Sequence, residues 1–204
     1  MSKEMSIQPV QLAGPHVAVE AAPSSAMATH LRTAGIVLAG SALVAVCSHV
    51  ALPLPFTPVP LTLQPFAVLL LGLLLAPRLA AAALAAFLAE GALGLPVFAP
   101  GPVGIAHLLG PTGGYLLAYP LAALLISLLW RRTGRGFSAA LASAAAGNLL
   151  ILACGALWLA ALTHAPLQLA LTQTVLPFLP GDALKVAAAA GLAAGFVRMR
   201  RRPA

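Results

Sequence analysis

An acidic and a basic residue lie one helical turn apart near the end of the chain. Asp182 follows Pro180 and Gly181, and Lys185 comes three residues later. Residues at i and i+3 share a helix face, so the two side chains can meet. Ionisable groups in apolar segments point to function, so the pair predicts the polar end of a ligand pocket. Lys185 would bind an anion, and Asp182 would accept from N–H donors. A helix cap beside a snorkelling lysine, or a self-satisfied ion pair, is the alternative.

A second candidate segment runs from Thr112 to Tyr115. Thr112 can cap a helix, and Gly113 and Gly114 leave the N–H groups of the first turn uncovered. Such groups can hold a carboxylate or carbonyl oxygen, and Tyr115 adds a flat apolar ring with a polar tip. Close helix packing is the other explanation of the two glycines.

The remaining polar side chains at membrane depth are less specific. Gln64 follows a proline-rich loop and is expected to reach the pocket, whereas Asn148 can equally bond one helix to another. Glu90 could carry a proton, contact a ligand or lie at an interface. Three histidines without metal-ligand spacing are expected to be interfacial: His49, His107 and His164. No metal or cofactor is predicted.

The helices that must position these residues can be read from apolar runs. A bilayer-spanning helix needs about 20 apolar residues, and about 17 are enough for a short span. The qualifying runs are about 33–52, 62–77, 79–95, 113–130, 137–162 and 182–199. They predict an all-α, polytopic membrane protein with six transmembrane helices. Runs two and three form a hairpin at Pro77 and Arg78, because merging them would place Arg78 in the middle of the bilayer.

Charge distribution sets the orientation of these helices. The chain has 204 residues, of which 61% are hydrophobic and only 7% are charged. That composition excludes a soluble globular domain, a disordered chain and a nucleic-acid binder. All of the Lys and Arg residues except Lys185 fall at the termini or in loops 2–3 and 4–5. The positive-inside rule therefore predicts that both termini are cytoplasmic.

The outer loops and the flanking segments complete the organisation. Loops 1–2, 3–4 and 5–6 are apolar and rich in proline and glycine, which predicts a stiff pocket rim or lid; tight connectors are the alternative. Residues 1–29 are predicted to be a flexible cytoplasmic tail, 30–199 the membrane domain and 200–204 a basic cytoplasmic tail. The cysteines, Cys47 and Cys154, are expected to be small packing residues.

Run one carries small residues spaced four apart: Gly35 and Ala39, then Ser41 and Ala45. This pattern permits close helix contact in lipid. It predicts a docking face for a partner membrane subunit, with internal packing as the alternative.

The chain has no phosphate-binding GxxxxGK[ST] loop, no GxSxG elbow and no HExxH helix. It is therefore not expected to be an enzyme or to hydrolyse ATP by that route.

Four motifs in register carry a family resemblance. They are Pro53–Gln64 (PLPFTPVPLTLQ), Gly94–Phe98 (GLPVF), Gly110–Tyr115 (GPTGGY) and Pro180–Lys185 (PGDALK). Over residues 33–198 the chain resembles the BioY family, the biotin-binding S components of energy-coupling factor (ECF) transporters.

The resemblance implies a mechanism and a set of partners. An outward-facing biotin pocket would be capped by the first outer loop, in a multi-pass protein of the bacterial cytoplasmic membrane. A transmembrane coupling subunit and two ATPases would drive transport by toppling of the S component. The small-residue face of helix one would meet the coupling subunit.

The same resemblance implies ligand contacts. Asp182 and Lys185 would touch biotin, the 110–115 segment would line the pocket, and Phe98 would contribute from its motif. Biotin has a ureido ring, an apolar thiophane ring and a carboxylate on an alkyl tail, which suits an apolar pocket with a few polar groups. The expected roles are Lys185 on the carboxylate and Asp182 on a ureido N–H.

Two other functional classes stay open. One is a self-sufficient secondary transporter of biotin or a related vitamin, in which Glu90 or Asp182 carries a proton. The other is a membrane enzyme that acts on a lipid or amphiphile, which the missing catalytic motifs disfavour.

Overall fold

Eight helices and one small β-ribbon make up the part of the chain described by the computed structural model, residues 24–200. The elements are α1 (Ser24–His49), β1 (Ala51–Leu52), β2 (Leu61–Thr62), α2 (Gln64–Leu74), α3 (Pro77–Ala92), α4 (Ile105–Leu108), α5 (Gly113–Arg132), α6 (Phe137–Thr163), α7 (Leu167–Thr174) and α8 (Leu179–Arg200). The prediction of a mostly helical membrane protein is confirmed.

A helix occupies each of the six predicted runs, but they differ in length. Within residues 24–200, three helices are long and apolar enough to cross a membrane: α1, α5 and α6. A fourth span results if α7 and α8, bent by 57°, are counted as one. Helix α2 has 11 residues and is about 16 Å long, roughly half of a bilayer core. The count of six spans therefore stays a prediction.

Proline shortens α2 relative to the predicted run 62–77. Leu75 and Ala76 are extended, with ψ values of 161° and 149°, and α3 begins at Pro77. The residue before a proline avoids helical geometry because it clashes with the proline ring. The break therefore falls just before Pro77, next to the predicted hairpin.

The predicted domain boundaries can be compared with the structure only within residues 24–200. Helix α1 begins at Ser24, inside the segment 1–29 that was predicted to be a tail, and α8 extends to Arg200. Residues 1–23 and 201–204 lie outside the described residues. The tail prediction therefore stays untested over most of its length.

The first proline-rich loop is closed at its base by an antiparallel β-ribbon, which the sequence pattern did not predict. Ala51 pairs with Thr62 and Leu52 with Leu61. The ribbon brings the ends of residues 53–60 together, and Val59 is buried at 5% exposure. The loop is therefore anchored to the bundle.

Glycines set the closest helix contacts around α5. A Cβ added at Gly72 of α2 or Gly147 of α6 would overlap Ile126 of α5. Small residues let membrane helices approach closely, where dispersion contacts replace a hydrophobic driving force. Leucines face outward instead, including Leu38, Leu149 and Leu192. Helix α5 is thus held between α2 and α6.

The small-residue pattern of α1 divides between two faces. Gly35 and Ala39 are exposed, and nothing lies within 4 Å of a Cβ built at Gly35. Ser41 is fully buried and donates a hydrogen bond to Glu90 on α3, while Ala45 packs against the core. Ser41 and Ala45 therefore serve internal packing, because their side of α1 is covered by α3. The docking prediction remains only for Gly35 and Ala39.

Candidate ligand-binding site

A cavity lies at one end of the bundle, where α2, α5 and α8 begin and the first proline-rich loop folds over them. It encloses about 510 Å³ of empty space, counting its mouth. Its lining residues are Val59, Pro60, Thr62, Gln64, Pro65, Ala99, His107, Thr112, Tyr115, Leu116, Tyr119, Ile151, Leu152, Phe178, Asp182 and Lys185. The first proline-rich loop is therefore a wall of this cavity, together with residues from five helices.

Asp182 and Lys185 form a buried ion pair on the cavity wall. Lys185 Nζ lies 2.9 Å from Asp182 Oδ1, and the residues are 9% and 4% exposed. Asn148 Nδ2 donates to the other carboxylate oxygen, Oδ2, at 3.2 Å. Removing either charge would leave the other buried without its partner, which is costly. The ion pair given as the alternative is present, and it lies on the wall of a cavity; its role in ligand binding stays a prediction.

The alternative in which Asp182 caps the start of the last helix is wrong. Helix α8 begins at Leu179, and the Asp182 N–H already donates to the Phe178 carbonyl at 2.8 Å. Pro180 and Gly181, expected to precede the helix, form part of its first turn. The Asp182 carboxylate bonds to Asn148 and Lys185 instead.

Two buried amide atoms have no hydrogen-bond partner among residues 24–200: Gln64 Nε2, a donor on the cavity wall, and Asn148 Oδ1, an acceptor next to Asp182. The other Gln64 atom, Oε1, accepts from Thr62 Oγ1 at 3.2 Å. A buried polar atom without a partner costs about 1–3 kcal/mol. A ligand that offers both an oxygen and an N–H group would recover that energy. Asn148 bonds α6 to Asp182 of α8, as one of its two interpretations predicted, and it is not among the residues that line the cavity.

Tyr115 is held rigidly at the cavity wall. Its hydroxyl donates to the Thr174 carbonyl at 2.7 Å, and its ring packs edge-on to Phe178 with centroids 6.5 Å apart. A Cβ at Gly155 of α6 would overlap the ring. The predicted placement of Tyr115 in the pocket agrees with this geometry.

The neighbouring Thr112 and Gly113 behave differently from expectation. Thr112 lines the cavity, but its side chain makes no cap hydrogen bond. Gly113 and Gly114 face protein, since added Cβ atoms would overlap the Leu108 carbonyl and Trp158 respectively. The packing explanation applies to both glycines, and Gly113 is not a wall of the cavity.

Phe98 and His107 both lie elsewhere than predicted. Phe98 lines a separate crevice behind the cavity and packs against Phe87 and His107, with centroids 5.2 Å and 5.0 Å away. His107, expected to be interfacial, is 6% exposed, lines the cavity and lies with Nδ1 2.9 Å from the Pro102 carbonyl. Phe98 therefore supports the wall that His107 forms.

Glu90 accepts a hydrogen bond from Ser41 and does not line the cavity.

Several apolar wall residues were missed by sequence reasoning. Tyr119 lies one turn after Tyr115, Ile151 lies three residues after Asn148, and Phe178 precedes the Pro180–Lys185 motif. The i+3 and i+4 spacing from predicted site residues is the signal that could have identified the first two.

Comparison with known proteins decides the family. The BioY family model matches residues 20–202. The chain belongs to the BioY family. The resemblance predicted from the four motifs is thereby confirmed.

Several BioY proteins are close relatives. A probable biotin transporter BioY from Pyrococcus horikoshii is 45% identical over 132 residues, covering 65% of this chain and 76% of the relative. The biotin transporter BioY from Thermotoga maritima is 38% identical over 153 residues, covering 75% and 88% respectively. A crystal structure of the S component for biotin from an ECF-type ABC transporter aligns with a TM-score of 0.77 and 28% identity. That alignment covers 86% of this chain and 94% of that one.

Proposed function

We propose that this chain is the biotin-binding S component of a vitamin uptake transporter, and not an enzyme. The observation that carries the proposal is the cavity at the start of α2, α5 and α8. It combines apolar walls with the ion pair of Asp182 and Lys185, to which Asn148 donates a hydrogen bond from outside the lining; these three residues are the polar cluster. Gln64 also lines the cavity, and its Nε2 has no partner among the described residues. Small-molecule pockets have this composition: apolar surroundings and a few polar groups that fix orientation.

The geometry of the cluster revises the expected division of roles. Lys185 and Asp182 are 2.9 Å apart, whereas the carboxylate and the ureido ring of biotin lie at opposite ends of the molecule. The two side chains therefore cannot each hold a different end while they stay paired. A carboxylate would also meet the negative charge of Asp182.

The ureido ring is the better match for this cluster. It offers two N–H donors and one carbonyl acceptor. The Asp182 carboxylate can accept from the N–H groups, while Lys185 Nζ donates to the carbonyl. The aromatic walls formed by Tyr115 and Tyr119 suit the thiophane ring. The ureido end of biotin is thus proposed to contact this cluster.

The orientation of the bundle follows from the distribution of arginines. Arg78, Arg131 and Arg200 lie where α3 begins and where α5 and α8 end, away from the cavity. The positive-inside rule places that end in the cytoplasm and the cavity outside. The proposed arrangement is six membrane passages with cytoplasmic termini, in a bacterial cytoplasmic membrane.

The proposed partners are a transmembrane coupling subunit and two ATPases. The exposed small residues Gly35 and Ala39 of α1 are a surface on which a membrane helix could pack closely. Delivery of biotin to the cytoplasm would depend on this module, because the chain contains no phosphate-binding loop of its own.

Calorimetric titration of the purified protein tests the ligand. Biotin is expected to bind more tightly than dethiobiotin, which lacks the sulfur that completes the thiophane ring, and other vitamins are expected to give no binding. Tight binding of a different vitamin with none of biotin would overturn the proposal.

Reconstitution separates the S component from a self-sufficient transporter. Proteoliposomes that contain this chain alone are expected not to accumulate biotin under a proton gradient. Accumulation should require the coupling module and ATP. Sustained proton-driven uptake by the chain alone would favour the secondary transporter instead.

The variant Gln64→Leu is expected to separate stability from binding. It removes a buried donor that lacks a partner among the described residues, but also the acceptor of the Thr62 hydroxyl, so the two effects offset and the stability of the unliganded protein should change little. Biotin affinity should fall about tenfold, because a ligand oxygen loses its donor. Thermal unfolding and titration measure the two effects. Gln168→Leu, on the exposed face of α7, is the matched control and should leave affinity unchanged; equal losses in both variants would contradict the role of Gln64.

A further inference from the structure

A basic crevice lies at the end of the bundle opposite the ligand cavity, between α2, α5 and α8. Its charged residues are Arg131, Arg135 and Arg200. Its other walls are Leu73, Leu74, Trp130, Phe196 and Val197, and it holds about 790 Å³ of empty space, counting its open side. The residues assigned to ligand binding and to the coupling subunit lie elsewhere.

Contacts other than carboxylates hold the three arginines in place. Arg135 lies over the Trp130 ring, 5.7 Å from its centroid, and Arg200 lies over the Phe196 ring at 4.6 Å. Arg131 Nε donates to Ser127 Oγ at 3.2 Å, which leaves its terminal N–H groups for another acceptor. The guanidinium groups are therefore oriented without being neutralised.

No acidic residue of the described chain neutralises this crevice. Between residues 24 and 200 the acids are Glu90 and Asp182, which are bonded to Ser41 and to Lys185 and Asn148. Three like charges around one space repel each other unless an anion joins them. The electrostatics thus favour an anionic occupant.

One residue of the crevice wall, Trp130, carries a buried donor. Trp130 is 1% exposed, and its Nε1 has no hydrogen-bond acceptor in the part of the chain that the structure describes. Buried tryptophan N–H groups usually find an acceptor. Three cations around one open space suit an oxygen-rich anion such as a phosphate, and Trp130 forms part of the wall beside them.

The apolar walls indicate the rest of the occupant. Leu74 and Phe196 are 38% and 41% exposed at the rim, where a hydrocarbon chain could lie along them. A free phosphate would gain nothing from these side chains, and an acidic protein surface would have to enter between membrane helices. Basic pockets between transmembrane helices bind lipid headgroups in this way.

We propose that this crevice is a binding site for an anionic phospholipid. The headgroup phosphate contacts Arg131, Arg135 and Arg200, and one acyl chain lies along Leu74 and Phe196. The lipid would join the ends of α2, α5 and α8, which are the helices that begin at the ligand cavity.

Lipid competition measured by native mass spectrometry tests the site. The full chain is equilibrated with equimolar phosphatidylglycerol and phosphatidylcholine, and the bound lipids are counted. The wild type is expected to retain phosphatidylglycerol over phosphatidylcholine by at least about fivefold. The variant Arg131→Gln/Arg135→Gln/Arg200→Gln should bind both lipids about equally.

A matched variant separates the crevice from general basicity. Arg32→Gln/Arg78→Gln/Arg132→Gln removes the same charge from residues outside the crevice and should keep the preference. Thermal unfolding midpoints check that both variants fold. The proposal would be overturned if both variants lost the preference for phosphatidylglycerol equally, or if the wild type showed no such preference. Displacement of the lipid by inorganic phosphate alone would also overturn the proposal. A preference for phosphatidylglycerol that arises only when an acidic coupling protein is bound would do the same.

Discussion

Lys185→Met is expected to weaken the binding of biotin and of biotin amide by the same factor, about 10- to 100-fold. A hydrogen bond made by a charged group contributes about 1.5–3 kcal/mol, and each 1.4 kcal/mol is tenfold in affinity. The effect is shared because Lys185 is proposed to donate to the ureido carbonyl, which both ligands possess. Titration with each ligand gives its fold-loss of affinity, and the ratio of the two fold-losses is the quantity to compare.

The ratio distinguishes two arrangements of the ligand. If Lys185 instead pairs with the carboxylate, biotin loses an ion pair that biotin amide never makes, and the ratio changes about tenfold. That outcome would overturn the ureido assignment while leaving biotin as the ligand. The 2.9 Å contact of Lys185 with Asp182 is the reason to expect no change.

A second variant controls for damage to the unliganded protein. Lys185→Met alone leaves the Asp182 carboxylate buried with only the Asn148 amide, which should lower stability by about 3–5 kcal/mol. Asp182→Asn/Lys185→Met removes both charges and should recover much of that stability. Affinity should stay low in both variants. Recovered affinity in the double variant would mean that the charges serve folding rather than ligand recognition.

The polar part of the site could be predicted because charge is scarce in this chain. With 7% charged residues, two opposite charges one turn apart stand out, and the structure places Asp182 and Lys185 on the cavity wall. The apolar walls could not be predicted in the same way. In a membrane protein, lipid-facing and cavity-facing residues are both apolar, so Ile151 at the cavity and Leu149 toward lipid differ only in their helix face.

Small residues carry a similar ambiguity, for a related reason. Close packing requires the same residue types whether the neighbour is another helix of the chain or a partner. The spacing of Ser41 and Ala45 was therefore compatible with both, and only the position of α3 assigns them to the interior. His107 was missed because its burial depends on the 98–104 loop, which lacks the periodicity from which burial can be read.

Gly155→Ala is expected to lower both stability and biotin affinity, because the added methyl group would overlap the Tyr115 ring. Overpacking of this kind costs about 1–3 kcal/mol. Displacing the ring also threatens its 2.7 Å hydrogen bond to the Thr174 carbonyl, worth about 0.5–1.5 kcal/mol. The unfolding midpoint should fall by several degrees, and affinity should fall by about tenfold or more. Gly191→Ala in α8 is the matched control, since nothing lies within 4 Å of a Cβ there.

A size exchange then separates packing from ligand contact. Gly155→Ala/Tyr115→Leu removes the overlap and should recover part of the lost stability, although the bond to Thr174 is gone. Affinity should stay low, because the leucine offers the thiophane ring less surface than the tyrosine ring does. Wild-type affinity in this double variant would contradict the assignment of Tyr115 as a ligand contact. An equal loss of stability in Gly191→Ala would show that the effect belongs to any glycine of these helices rather than to the contact between α5 and α6.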